Sequence, residues 1–521
     1  MPFAGVVGFG RRATLLVLTV TAAACAGSPA RERPAEALPS TATRPPHAPQ
    51  RPQQSGAVPI EQRTAPKVGP VTTLDAPITV EAVAPDGSWV AVCEASTDTN
   101  ADGRLAVEVA PRGELHGDRL ERSLRLWNGR VFPIDDLFAA SPDGRWLVVR
   151  RAHRTELFDT SAGTLVDLGA GVDVRRTEPH RTEHRALVFT DGGLLFVRVR
   201  GREHAVIERS LDEGTERVVY AGRESIVRVT ADAFGALIVV ELAGPDRNGN
   251  GRFDWAHPPN DAPLPCGSPI PTVVAPRALP DPTIHVVVPR SGGAPRRITD
   301  LALVFGASLV RRSPEGALFL DDGTTQRTLA DASCKGRLLF TDPFHDQLLL
   351  GCAIPKRPLR LGVELVTPTG RRPLDIDVAD LALDEPARPP ERLVPLYPGP
   401  NTVLFDTEQQ ELHWLEPRDQ VLGRRGARAL VRRGQDLFLF DADAKDLRAL
   451  PGKLERFADV TATGPMVHVS PLVVDLDAGR VVGTAPWPVL AVAVSGAVLT
   501  ATRAATANAL ARGPLSWKLP Q

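Results

Sequence analysis

Charges of one sign gather nowhere in this chain. Its 61 basic and 62 acidic residues are spread evenly and leave a formal net charge of −1. Without a basic block there is no electrostatic footprint for nucleic acid, and no acidic tail is present. No Gly-x-Ser-x-Gly elbow occurs, which argues against an attached peptidase or esterase domain, and there is no Walker loop. The one glycine-rich match, Gly5, Gly8 and Gly10, falls in an N-terminal export segment. Helical composition is scarce as well. Ala501 to Arg512 is the single candidate, and it is short.

Punctuation is abundant instead. The 49 prolines and 44 glycines break the chain every few residues, which favours short strands and turns. A hydrophobic content of 43% is enough for a substantial core. A chain of 521 residues could hold two or three average domains or one large domain built of repeats.

The N-terminus reads as an export signal. Arg11 and Arg12 precede a short apolar run, Ala13 to Thr21, then Ala22, Ala23, Ala24 and Cys25. The run is too short for a membrane span. Cysteine directly after small residues resembles the lipobox of bacterial lipoproteins, although Ala22 stands where that family usually has leucine. The resemblance implies that Cys25 becomes the lipidated first residue of the mature chain. Residues 26–70 are proline-rich and nearly free of aromatics, so they read as a disordered tether. The organisation expected is 1–25 signal peptide, 26–70 tether and 71–521 folded body, with inserted loops near 96–109 and 244–262.

Four cysteines remain. Cys334 and Cys352 flank two apolar runs separated by Asp342-Pro-Phe-His345. Folding the segment about that turn sets the two cysteines nearly opposite each other on an antiparallel pair, within bridging distance. Cys93 and Cys266 would pair by default. The alternative is that all four are small buried apolar residues.

From about residue 75 onward one phrase recurs. A turn (Ala84-Pro-Asp-Gly-Ser-Trp89, Ser141-Pro-Asp-Gly-Arg-Trp146, Ser313-Pro-Glu-Gly-Ala317, and weaker versions at Thr190 and Asp232) leads into an apolar strand. A second hairpin follows, as in ELFDTSAGTLVDL and LFLFDADAKDLRAL. Two hairpins make a four-stranded sheet that cannot bury its faces alone, so neighbouring copies must stack. The phrase resembles the TolB-like and WD-repeat-like β-propellers of exported bacterial proteins. That resemblance implies an all-β propeller of four-stranded blades. Copies of about 40–50 residues match the size of propeller blades, and counting them gives seven, or else eight. Trp89 and Trp146 read as blade-packing residues. Leu490 to Thr500 reads as a hairpin, because Ser495-Gly496 interrupts its apolar run.

Two loops have the register of a calcium site. In DRNGNGRFDW, Asp246, Asn248 and Asn250 stand at positions one, three and five, Gly251 at six, the Arg252 carbonyl at seven and Asp254 at nine. His257 occupies the position of the usual bidentate glutamate. A second copy places Asp98, Asn100 and Asp102 at one, three and five with Gly103 at six. Alternate side chains of a turning loop deliver oxygens to one point, as calcium requires. The plain alternative is an Asx-turn hairpin tip. Any calcium here reads as structural, and if both loops decorate one end of the propeller, a Cys93–Cys266 bridge would tie them together.

His180, Glu183 and His184 have the H-x-x-E-H spacing of inverted zinc peptidases, but they follow a proline among arginines and precede a strand, so they read as solvated loop residues. The leading functional reading is a non-catalytic, monomeric binding or scaffold protein of the cell envelope. It would be lipid-anchored to the outer membrane or face the periplasm, and its partner would be another envelope protein or macromolecule. The alternative is a propeller enzyme, a metal-dependent hydrolase, lactonase or lyase, with its site in the axial funnel.

Overall fold

The structure, a computed structural model, describes residues 67–109, 115–174, 186–232, 236–245, 266, 283–305, 308–332, 334, 337–342, 347–354, 357–379, 392–398, 401–455, 460–485, 489–501 and 510–521. Met1–Gln50 separates from Arg51–Gln521 as a unit of its own, and every described residue belongs to the second unit. The export segment, Cys25 and most of the tether lie outside the described residues. So does most of the 501–512 stretch, of which Ala511–Arg512 is strand.

Among the described residues there is no helix; the elements are short antiparallel strands. They assemble into ten successive sheets, plus a two-stranded hairpin. Blade 1 is Pro77–Val83, Trp89–Glu94, Glu121–Leu126 and Val131–Pro133, and blade 2 is Asp136–Ala140, Trp146–Arg151, Arg154–Asp159 and Thr164–Asp167. Blades 3 to 6 begin at Leu187, Ile226, Leu301 and Arg337. Blade 8 begins at Gln420, blade 9 at Val460 and blade 10 at Val489.

The second strands explain why the sheets stack. Trp89–Glu94 (WVAVCE) is buried at every position, and Gly193–Arg200 is buried over its first five. An apolar run of this kind suits a strand covered on both faces. Fourth strands such as Thr164–Asp167 and Asp446–Ala449 are largely exposed and form the outer edges. A cluster of buried apolar side chains fills each junction. Leu124, Leu147 and Phe158 join blades 1 and 2, Phe138, Leu187 and Phe196 join 2 and 3, and the series continues blade by blade. Val90, Val92, Leu499 and Trp517 join blade 10 back to blade 1, so the ring closes.

Closure is also covalent-chain deep. Gly69–Pro70, at the end of the expected tether, pairs with Ser516–Lys518 in blade 10, and Ala511–Arg512 pairs with Pro77–Val83 in blade 1. Each end of the described chain thus adds a strand to the other end's blade.

Ten blades replace the seven or eight expected. The second strands of blades 7 to 10 start at Leu393, Arg428, Met466 and Val498, only 35, 38 and 32 residues apart. These blades use tight connections and lack the Pro-Asp-Gly phrase, so a count that follows the phrase misses them.

The recurring turn has a packing role. In blades 1 and 2 the residue before proline donates to tryptophan (Ala84 N to Trp89 O 2.9 Å, Ser141 N to Trp146 O 2.8 Å). Gly144 has φ +75°, and a Cβ there would lie 2.7 Å from Pro85 Cδ, so glycine lets the two turns nest. Trp89 Nε1 donates to Gly144 O at 2.7 Å across the same junction. Val494 N of blade 10 donates to Pro85 O at 2.8 Å, which extends the chain of stacked turns through the closure. Trp146 is half-buried, with Arg145 5.0 Å over its ring. The Ser313 copy closes one residue sooner, Ser313 N to Ala317 O at 2.8 Å, and joins the second and third strands of blade 5, at the other end of the ring.

A second device closes the outer hairpins. Asp159, Asp406, Asp441 and Asp475 each accept backbone N–H bonds from two or three residues ahead. The fourth residue after each, Gly163, Gln410, Lys445 or Gly479, takes a left-handed φ of 67°, 56°, 51° or 66°. An arginine at the entrance to the second strand pairs with the aspartate in three of them: Arg145–Asp159 at 3.0 Å, Arg392–Asp406 at 2.9 Å and Arg428–Asp441 at 2.9 Å. The device identifies the three described strands of blade 7. Val403–Asp406 is the third, so Leu393–Leu396 is the second and Glu411–Trp414 the fourth. The place of a first strand, ahead of Leu393, falls outside the described residues.

Candidate functional site at the insertion-bearing end

Two connections are much longer than the rest. Blade 1 inserts residues 95–120 between its second and third strands, and blade 4 inserts residues 244–282 between Leu237–Ala243 and Thr283–Pro289. Second-to-third connections of antiparallel blades emerge at one end of the ring, so both insertions rise from the same end. Cys93, on the second strand of blade 1, is bridged to Cys266 of the blade 4 insertion, 173 residues away. The expected Cys93–Cys266 pairing is therefore present, and it ties the blade 4 insertion to the second strand of blade 1, three blades away. Cys334–Cys352 is also formed, across the hairpin of Arg337–Asp342 and Gln347–Ile354.

Around the first bridge the sheet is charged, with Arg122, Glu94 and Asp136 buried and Glu81 exposed. Glu81 stands in a bulge of the first strand, between Val80 and Ala82, and reaches over Cys93 to Arg122. Its two oxygens take Arg122 Nε at 2.6 Å and Nη2 at 2.8 Å. Asp136 of blade 2 lies 3.6 Å from the same guanidinium. Burial opposes the charge on Arg122, but Glu81 and Asp136 outweigh it and raise its pKa above the ordinary value. Arg125 pairs with Glu94 on the neighbouring rung. Glu81, Cys93 and Cys266 bring ligand-type atoms within 4.8 Å of one another. A disulfide sulfur is not a thiolate, so with the bridge intact this trio offers a metal one carboxylate.

Asp98–Asp102 lies in the blade 1 insertion. Asp98 accepts from Gly103 N at 2.6 Å and Asp102 N at 3.2 Å; Asn100 Oδ1 accepts from Asp102 N at 3.0 Å. Asp102 Oδ1 accepts from Arg104 N at 2.8 Å, and Gly103 makes the turn with φ +81°. Three oxygen-bearing side chains thus curl around one glycine turn, and among the described residues neither carboxylate has a cationic partner. The donor set fits a hard cation on its front half. Position nine is Ala106, and the back of the loop is held by Asp118, a residue that sequence reasoning did not single out. Asp118 is 3% exposed and accepts from Ala106 N, Thr99 N and Thr99 Oγ1. The Ala106 N–H bond, ahead of the Thr99 bonds and against a burial cost, holds its carboxyl below the usual range. No spacing rule ties Asp118 to a loop 19 residues upstream; folding brings them together through the hairpin Val107–Val109 with Leu115–Gly117. Asp246, Asn248, Asn250, Arg252 and Asp254 lie outside the described residues, as do His180, Glu183 and His184.

The described first strands, which line the centre of the ring, carry few carboxylates. First strands touch first strands of adjacent blades, Leu187–Thr190 lying between Asp136–Ala140 and Ile226–Ala231. Among the described first strands the carboxylates are Glu81, Asp136 and Asp342, and the first two are held by Arg122. Among the described residues the side-chain hydrogen bonds of Asp98 and Asp102 come from backbone N–H groups of their own loop, not from a first strand.

The class defined by this arrangement is a ten-bladed β-propeller with two long insertions at one end, one of them fastened to blade 1 by a disulfide. No protein-family model and no curated protein matches the chain. Among solved structures it is similar to an acylaminoacyl peptidase complex (11% identity, TM-score 0.32, covering 74% of this chain and 56% of that one). It is similar also to the β-propeller domain of the Trilobed protease from Pyrococcus furiosus (8%, TM-score 0.30, 74% and 99%) and to oligogalacturonate lyase from Vibrio parahaemolyticus (10%, TM-score 0.30, 86% and 98%). The chain thus spans little more than half the length of the peptidase. At these TM-scores none of the likenesses bears on activity or substrate, and the propeller assignment stands on this chain's own strand pairing and blade junctions.

Proposed function

We propose that this chain is an exported, non-catalytic binding or scaffold protein of the cell envelope. Cys25 carries a lipid anchor, residues 26–70 serve largely as tether, and the insertion-bearing end of the propeller meets a macromolecular partner. One observation carries the reading: a disulfide fastens the blade 4 insertion to the second strand of blade 1, three blades away and beside the blade 1 insertion. Such a bridge holds the blade 4 insertion against the blade 1 insertion, where Cys266 packs with Leu105, Val107 and Leu120, so that the two can present one surface. Structural disulfides persist in oxidising compartments, which supports export.

The test is site-specific photocrosslinking in the native envelope. A crosslinker at Arg104, in the blade 1 insertion, is expected to capture a discrete partner. One at Val218, exposed on the outer edge of blade 3, is expected to capture none. Replacing Cys93 and Cys266 together by alanine is expected to weaken capture from Arg104. Equal labelling from both positions, or none from either, refutes the reading. A Cys25→Ser variant is expected to leave the membrane fraction.

Calcium at Asp98, Asn100 and Asp102 belongs to the same proposal, with a matching role for Asp246, Asn248, Asn250, Arg252 and Asp254. Its role is to order the insertion, because an ion that gathers several oxygens offsets the entropy lost by a long polar loop. Saturating calcium, at about 100 times the dissociation constant, is expected to stabilise the folded state by about 2.7 kcal/mol per site. Thermal melts with calcium and with chelator measure it. The shift should shrink in Asp98→Asn with Asp102→Asn; a calcium-independent melting temperature in the parent protein discards the metal.

A further inference from the structure

At the same end of the ring, but on its outer rim, a cleft of about 540 Å³ opens between blades 6 and 7. Its volume falls within the range of about 300–1,000 Å³ usual for small-molecule sites. One wall is the outer hairpin of blade 6, Arg357–Thr367 with Gly370–Ala379, and the other is Trp414 at the end of the fourth strand of blade 7, with Pro398 and Asn401.

Three features of the lining are out of keeping with a structural joint. Trp414 is 56% exposed, although most of the large apolar side chains of this chain are buried. Asp375 takes φ +52° without being glycine. It stands in an irregular bulge: Gly362 pairs with Asp377 and Glu364 with Pro373, so residues 374–376 oppose Val363 alone. Leu374 and Ile376 turn into the core from that bulge, and Asp375 is left facing the cleft. A left-handed aspartate usually rests on a local hydrogen bond. Asp375 has no hydrogen-bond or ion-pair partner among the described residues, and neither does the Asn401 amide. Beside them Asp377 is already occupied. Arg360 and then Arg357, the latter at 2.9 Å, hold it ionised below the usual carboxylate range.

We propose that this cleft binds a neutral saccharide, with the Trp414 ring as stacking platform. A pyranose has an apolar C–H face that an indole covers, and vicinal hydroxyls that each donate and accept. Asn401 offers a donor and an acceptor, Asp375 offers acceptors, and the free N–H groups of Arg357 offer donors. Gly362, with no side chain, leaves the cleft floor open. A purely apolar ligand would strand these polar groups. The sugar could be free or part of an envelope glycan; the recognition chemistry is shared.

The test is ligand-observed NMR saturation transfer on the full chain. The probes are the neutral disaccharides maltose, cellobiose, lactose and chitobiose, with galacturonic acid and lysine methyl ester as charged controls. At least one neutral sugar is expected to bind, and Trp414→Ala is expected to weaken it at least about tenfold, the scale of one lost aromatic stack. Asp375→Gly is the discriminating variant. It relieves the left-handed strain, so the melting temperature should hold or rise while sugar binding falls. If binding is found, immobilised envelope glycan and soluble disaccharide are then compared for competition, which separates the two sources. Binding by none of the neutral sugars, preference for a charged control, or undiminished binding in Trp414→Ala overturns the proposal.

Discussion

Trp89→Ala is expected to destabilise the ring by about 3–5 kcal/mol, the range for deleting a fully buried tryptophan. Trp89 is 1% exposed and packs among Leu124, Leu147 and Phe158 at the junction of blades 1 and 2. It also fixes that junction by a directional bond, Nε1 to Gly144 O at 2.7 Å. Trp89→Phe keeps most of the apolar contact and loses the donor, so it should retain about half of the stability lost by alanine. Urea denaturation followed by circular dichroism measures both. A loss under about 1 kcal/mol for alanine would mean that the junction does not depend on this side chain.

Asp406→Asn is the second large effect, at about 3 kcal/mol near neutral pH. The Asp406 side chain is fully buried and takes Arg392 Nε at 3.0 Å and Nη2 at 2.9 Å, together with the N–H groups of Glu408 and Gln409. Arg392 keeps Glu408 and Asp443 as partners in the variant, which sets the loss at the lower end for a broken buried pair. Burial alone would raise the Asp406 pKa, but Arg392 and the two backbone donors outweigh it and leave it lowered. The sign of the pH effect follows. A carboxyl whose folded pKa lies below its unfolded value of about 3.9 contributes stability above that value and loses it as pH falls through the folded pKa. The gap between parent and Asp406→Asn should therefore be constant from neutral pH down to about 5 and narrow below about 4. A gap that widens on acidification would reverse the assignment of the charge.

Much of the fold was legible because it is local. Pro-Asp-Gly turns, doubly apolar second strands and Asp-capped outer hairpins each arise within a few residues, so strand class and repeat could be read directly. The Cys334–Cys352 bridge was legible for the same reason, since one hairpin sets its geometry. The hairpin at Leu490–Thr500 also formed as expected, with Val492 opposite Val498. Blade number was not legible, because blades 7 to 10 lack the phrase used to count them. The candidate site was half legible: the register of Asp98, Asn100 and Asp102 is written in the chain, whereas Asp118, Glu81 and Arg122 enter only through pairing between distant strands.

By itself, then, the order of residues dictated short amphipathic or wholly apolar strands, their turns and the need of each sheet for covering neighbours, because hydrogen-bonding geometry and side-chain alternation act over short range. Only the tertiary structure decided how many sheets stand in the ring and how the two ends of the chain interlock. It alone brought Cys266 to Cys93 and opened a cleft beneath Trp414. Those outcomes depend on the angle and spacing at which successive sheets bury one another's faces, a sum over many weak contacts that no short stretch of sequence carries.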